Sequence, residues 1–156
     1  MAKLKFLVIH CTATPEGREV TAEDIRNWHL KGRGWSRVGY TDLIHLDGTI
    51  SNLTPFDHDD EVEAWELTNG VRGKNSISRH IVYAGGGIGN KEHPAEDTRT
   101  MDQENTLAAY CFLMVARHPD ILIAGHNQFA AKACPSFDVP DWLEEIGIPE
   151  KNIYKP

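Results

Sequence analysis

Cysteine is scarce in this sequence, basic residues are outnumbered, and long hydrophobic runs are missing. Three cysteines among 156 residues cannot all pair internally, so no disulfide framework is expected. Sixteen Lys and Arg face 23 Asp and Glu, for a net charge of -7 with histidines neutral. That balance argues against nucleic-acid binding by phosphate neutralisation and against a polybasic membrane surface. No apolar stretch approaches the roughly 20 residues that cross a bilayer. The run Phe6–Ile9 behind Lys3 and Lys5 is shorter than the roughly 7–15-residue core of an export signal. The chain is therefore expected to be cytoplasmic at synthesis, without membrane insertion. Internal repeats, low-complexity tracts and Ser/Pro-rich linkers are absent as well.

What remains is the composition of an ordinary globular domain. The length suits one domain over residues 1–148, with 149–156 as a loosely packed tail. Leu4–Thr12 reads as a first strand. Thr21 caps a helix that opens on Glu23 and Asp24 and closes at Gly32. Tyr40–Leu46 and Thr49–Leu53 flank Asp47-Gly48, which predicts a hairpin with a type I′ turn. Ser78–Ala84 is a strand ended by three glycines. Thr100 and Gln103 form a capping box for the longest helix, which His118-Pro119 stops. Ile121–Ala124 is a short strand before Gly125-His126, and Pro140–Ile146 a last helix closed by Gly147. Strands mixed with helices, one hairpin among them, predict an α/β domain: a central mixed β-sheet flanked by α-helices.

Eight histidines invite a search for chemistry. His45, His58, His93 and His118 sit among polar or loop residues and read as surface or hydrogen-bonded groups. His10 and His126 each end an apolar strand and precede a loop, where sites in open sheets gather. Cys111 lies on the apolar face of the long helix, flanked by Tyr110 and Phe112, and reads as core. Cys11 follows His10 on a strand, so the two side chains point to opposite faces and do not serve one metal; Cys11 also reads as structural. Cys134 stands in a loop, eight positions after His126 and two after Lys132. Two imidazoles and a thiolate suit zinc, and three protein ligands leave a fourth position for water. A cysteine nucleophile with His126 as its base is the competing chemistry. Lys132-Ala133-Cys134-Pro135 does not match the local cysteine-protease signatures.

Ordered blocks then point to a family. They are Val8-Ile9-His10-Cys11-Thr12-Ala13-Thr14, then Ile25-Arg26 with Trp28-His29, then Gly34-Trp35, Gly39-Tyr40 and Asp47-Gly48-Thr49. Asn75-Ser76-Ile77, Gly125-His126 and Lys132-Ala133-Cys134-Pro135-Ser136-Phe137-Asp138 follow. From about Phe6 to Trp142 the chain resembles the type 2 zinc-dependent N-acetylmuramoyl-L-alanine amidases, which include small bacteriophage amidases and peptidoglycan-recognition proteins. The resemblance implies that His10, His126 and Cys134 hold one zinc ion and that Tyr40 and Lys132 are the catalytic pair. It implies that Trp65, Glu66 and Asn75 lie at the substrate. The activity it implies is hydrolysis, by zinc-activated water, of the amide between N-acetylmuramic acid and L-alanine in peptidoglycan or its fragments. A phage or prophage endolysin is the role it suggests. A non-catalytic peptidoglycan-recognition module is the alternative, and a protein that inhibits a partner is a third class. Three departures stand out. Glu66 follows Ala64-Trp65 where many relatives carry a histidine. Arg79-His80 interrupts the middle strand. No glutamate stands on that strand between Ser76 and Gly85 to act as a base. A pI near 5.6 gives no electrostatic attraction to an anionic wall.

Overall fold

The computed structural model describes residues 2–156. In chain order the elements are β1 (Ala2–Lys3), β2 (Phe6–Cys11), α1 (Ala22–Arg26), β3 (Asp42–Ile44), β4 (Ile50–Asn52) and β5 (Glu61–Val62). Then come β6 (Ser78–Tyr83), α2 (Met101–Arg117), β7 (Leu122–Gly125) and α3 (Val139–Ile146). Five strands form one sheet in the order β4-β3-β6-β2-β7. β2 runs parallel to β6 and β7, β3 runs parallel to β6, and β4 is antiparallel to β3. The sheet is mixed, as the sequence predicts. β1 and β5 pair separately. Among the described residues no helix is long and apolar enough to cross a membrane.

Strand alternation divides the interior. Leu7, Ile9 and Cys11 point to the face covered by α2 and α3, where they join Ile81, Tyr83, Leu107, Cys111, Met114 and Leu143. Each such side chain contributes about 1.5–3 kcal/mol by leaving water, so this face supplies most of the stability. The opposite face is shared. Val82 and Ala84 pack with Val20, Ile25 and Leu43, while Phe6 and Val8 meet Val71. His10 and His80 point the same way as Val8 and Val82, and thus lie on the face that α2 and α3 do not cover.

Capping follows the sequence closely. The Thr100 hydroxyl accepts the Gln103 N–H and the Gln103 side chain accepts the Thr100 N–H, both at 3.0 Å. The Gln103 amide also donates to the Ala84 carbonyl at 2.9 Å, which fastens α2 to the sheet. Gly147 ends α3 at φ +90. Beyond α1, residues Asn27–Gly32 continue as a π-helix, a widening common at functional positions. The hairpin differs from expectation. Only Gly48 of the Asp47-Gly48 pair has positive φ, +83, whereas a type I′ turn needs both. The loop is longer because His45 N–H reaches Thr49 O and the Asp47 carboxylate takes the Thr49 N–H and hydroxyl.

The C-terminal segment also departs from expectation, because it is packed rather than loose. Asn152 is fully buried and donates to the carbonyls of Pro119 and Ile121 at 2.8 Å each. Ile153 bridges to Ile123, and Tyr154 packs on Phe6 and Phe129. Removing this side chain takes the donor from two carbonyls, of which that of Ile121 is buried. Asn152→Ala is therefore expected to lower unfolding stability by about 1–3 kcal/mol, read as a shifted urea midpoint.

Candidate metal centre

Sheet register brings the candidate ligands together. β2 and β7 pair with Ile9 opposite Gly125, so His10, the next residue of β2, lies beside His126, the first residue beyond β7. Their ring centroids lie 4.7 Å apart. Cys134 reaches the same spot from a loop held at several points. The Cys11 N–H donates to its Sγ at 3.2 Å. The Tyr83 hydroxyl donates to the Pro135 carbonyl at 2.6 Å, and the Ser136 hydroxyl to the Gly86 carbonyl at 2.8 Å. Gly86 is required by space, since a Cβ there would run into the Cys11 side chain.

Donor atoms of His10, His126 and Cys134 all lie within 4.8 Å of one another. His10 Nδ1 and Cys134 Sγ are 3.8 Å apart. Tetrahedral zinc, with Zn–N near 2.0–2.1 Å and Zn–S near 2.3 Å, sets N and S ligands about 3.6 Å apart. The set therefore fits zinc in donor type and spacing, and as a three-residue set it leaves a position open.

Electrostatics agree with ligand roles. Burial, then the neighbouring histidines and Lys132, hold the His10 imidazole well below its usual range. Burial and the Lys132 charge lower His126 too. Both rings are thus neutral near pH 7, with lone pairs to offer. The Cys134 thiol is pushed up by its contact with Cys11 and by burial, while the Cys11 N–H and Lys132 pull the other way. A free cysteine nucleophile needs the reverse, a lowered thiol. This weighs against the cysteine-protease reading.

Beside the ligands opens a cavity of about 410 Å³, lined by Trp35, Asn69, Arg72, Asn75, His126, Phe129 and Lys132 among others. Its size suits a small-molecule or peptide segment. Lys132 is exposed, and its charge reaches all three ligands. The Tyr40 ring stands 5.1 Å from the His10 ring, and burial raises its phenol, which keeps its proton. His29 holds this side of the site. Its Nδ1 accepts the Gly39 N–H at 2.9 Å, and its ring packs on Trp35 and Tyr40.

The proposed substrate residues divide. Asn75 lines the cavity. Trp65 and Glu66 are not among its lining. Trp65 is exposed and donates its indole N–H to Glu63. The buried Glu66 carboxylate accepts the N–H groups of Asp57 and Glu63 and faces Arg79 at 3.9 Å, so it ties a loop together. Trp35, Arg72 and Phe129 also form cavity wall, beyond the residues expected from the sequence. Gly34-Trp35 was visible as a block, whereas nothing local distinguishes Arg72 or Phe129 from surface residues.

Comparison with known proteins accords with this geometry. The family model described as N-acetylmuramoyl-L-alanine amidase matches residues 1–137. The chain is 34% identical to an endolysin of Enterobacteria phage K11, covering 92% of this chain and 93% of that one. It resembles in structure the Ph2119 endolysin of Thermus scotoductus bacteriophage Ph2119, at 25% identity and TM-score 0.71, over 94% of this chain and 87% of that one. Apis mellifera PGRP-SA shares the fold at 18% identity and TM-score 0.72, over 99% and 86% of the respective chains. The matched span holds both candidate histidines, Cys134 and the cavity, and this chain belongs to the N-acetylmuramoyl-L-alanine amidase family.

Proposed function

We propose that His10, His126 and Cys134 hold one zinc ion, and that the cavity beside them presents the amide between N-acetylmuramic acid and L-alanine for hydrolysis. One observation carries this reading: three zinc-type donors converge, and one of them, His126, lines a cavity that Lys132 also lines. The chemistry that zinc supplies in such a set is Lewis acidity, which brings the pKa of a coordinated water to about 7. The chain's own residues do the rest. Lys132 sets a positive charge where the carbonyl oxygen of the substrate becomes anionic. Tyr40 offers a phenolic proton that burial keeps in place at working pH. Trp35 and Phe129 give apolar walls for the sugar and peptide, while Arg72 can meet a stem-peptide carboxylate.

The endolysin relatives support action on the cell wall, as a phage or prophage enzyme that meets its substrate once released. Imported wall fragments are the other source of the same bond. Mass spectrometry of muropeptides and of whole sacculi after digestion, with and without chelator, tests the reading. Stem peptides with a free N-terminal alanine, lost with chelator and restored by zinc, are the expected products. Sugar–sugar cleavage, or full activity in chelator, would overturn it.

A further inference from the structure

The departure Arg79-His80 on the middle strand acquires a role once the register is known. β2 and β6 pair with Val8 opposite His80 and His10 opposite Val82, so His80 lies diagonally behind His10 on the same face. His10 Nε2 and His80 Nδ1 are 2.8 Å apart, and both residues are buried. The far nitrogen of His80, Nε2, lies 3.0 Å from Asn75 Oδ1. That oxygen already accepts the Gly70 N–H at 3.0 Å and the Val71 N–H at 2.9 Å. An atom that accepts two main-chain N–H groups is the amide oxygen, so the side-chain orientation of Asn75 is fixed.

The proton positions then follow in sequence. Asn75 Oδ1 can only accept, so His80 carries its proton on Nε2. A neutral imidazole protonated there has its lone pair on Nδ1. Nδ1 must therefore accept from His10, whose proton sits on Nε2. This leaves the lone pair of His10 on Nδ1, the nitrogen 3.8 Å from Cys134 Sγ. Space confirms that the contact is built in. A Cβ on Gly70 would collide with the His80 ring, and Gly70 has no positive φ to explain its glycine otherwise.

We infer that His80 is a positioning residue of the metal centre: with Asn75 it locks His10 in the Nε2-protonated tautomer that presents Nδ1 to the cation. Outer hydrogen bonds of this kind fix ring orientation and raise ligand basicity, and their loss typically costs about 10–100-fold in metal affinity. The inference rests on His10 being a zinc ligand. It adds that a turn lining the substrate cavity, residues 70–75, sets the protonation of that ligand.

Two measurements test it. Long-range nitrogen NMR on the metal-free wild type should show His10 and His80 both protonated at Nε2; a proton on His10 Nδ1 overturns the inference. Zinc affinity, read by competition with a chromophoric chelator, should fall about 10–100-fold in His80→Ala. It should recover largely in His80→Asn, whose amide oxygen takes the place of Nδ1. Wild-type affinity in a folded His80→Ala, judged by cooperative thermal unfolding, overturns the inference. If His80→Ala does not fold, the NMR tautomers and the His80→Asn affinity decide. A wild type that binds no zinc would count against the ligand set itself, and the tautomer measurement would still judge the His80 lock separately.

Discussion

Cys134→Ala is expected to lower amidase turnover on the order of a thousandfold and to abolish stoichiometric zinc binding. Lewis-acid catalysis is worth several kcal/mol of transition-state stabilisation, and each 1.36 kcal/mol is about a factor of ten. Losing the one thiolate leaves two imidazoles at the site, too few to fix a tetrahedral ion with a free position. Serine offers an oxygen of higher pKa and shorter reach, so Cys134→Ser is expected to fare little better. Folding should survive, because the loop is also held by the Tyr83 and Ser136 hydroxyls. Metal analysis beside thermal unfolding separates the two effects; a metal-free variant with wild-type turnover would refute the assignment. A pH dependence accompanies it. His10 and His126 are held below their usual range, so they bring no proton to be displaced near pH 7. Cys134 is pushed up and does bring one. Zinc uptake should therefore release about one proton, and apparent affinity should rise about tenfold per pH unit until the thiol pKa is passed. Calorimetry in buffers of different ionisation enthalpy counts that proton.

Lys132→Ala and Tyr40→Phe are expected to lower kcat by about 10²–10³-fold each, the usual effect of removing one donor from a developing oxyanion. What distinguishes them from ligand variants is the metal. Lys132 places a positive charge within electrostatic reach of all three ligands, so its removal should leave zinc binding equal or tighter. Tyr40 touches the site through its ring, 5.1 Å from that of His10, and Tyr40→Phe keeps that packing. Its zinc affinity should stay close to wild type while kcat falls. If either variant loses zinc in parallel with activity, its role is structural rather than catalytic. A double variant no slower than the worse single one would mean the two groups serve one step together.

Much of this was legible in the chain because it is local. Capping residues declare both ends of α2, and Gly147 declares the end of α3. The hydrophobic run before His10 declares a buried strand. Cys111 is recognisable as core from its helical face, and in the structure it is fully buried, its thiol pushed up to about 12 by burial. His10, His126 and Cys134 stand out as candidate ligands by residue type and position, and the structure brings their donor atoms within 4.8 Å of one another. What the sequence did not announce is non-local. The resemblance puts Glu66 and Trp65 at the substrate, whereas the Glu66 carboxylate accepts two main-chain N–H groups and faces Arg79, contacts no local pattern announces. The final eight residues look too polar to pack, but Asn152 finds two carbonyls in the turn between α2 and β7.

The sequence by itself determined that this is one α/β domain whose cysteines are too few for a disulfide framework, and it singled out three side chains as candidate metal ligands. Residue type, spacing and strand ends suffice for that, because the kind of donor atom a side chain offers does not depend on its surroundings. Only the tertiary structure decided which of their atoms come together. The parallel order β6-β2-β7 sets His80, His10 and His126 side by side on one face, although the three are scattered over more than a hundred positions of the chain. That adjacency turns His80, which reads as an interruption of a strand, into the acceptor that leaves His10 Nδ1 free.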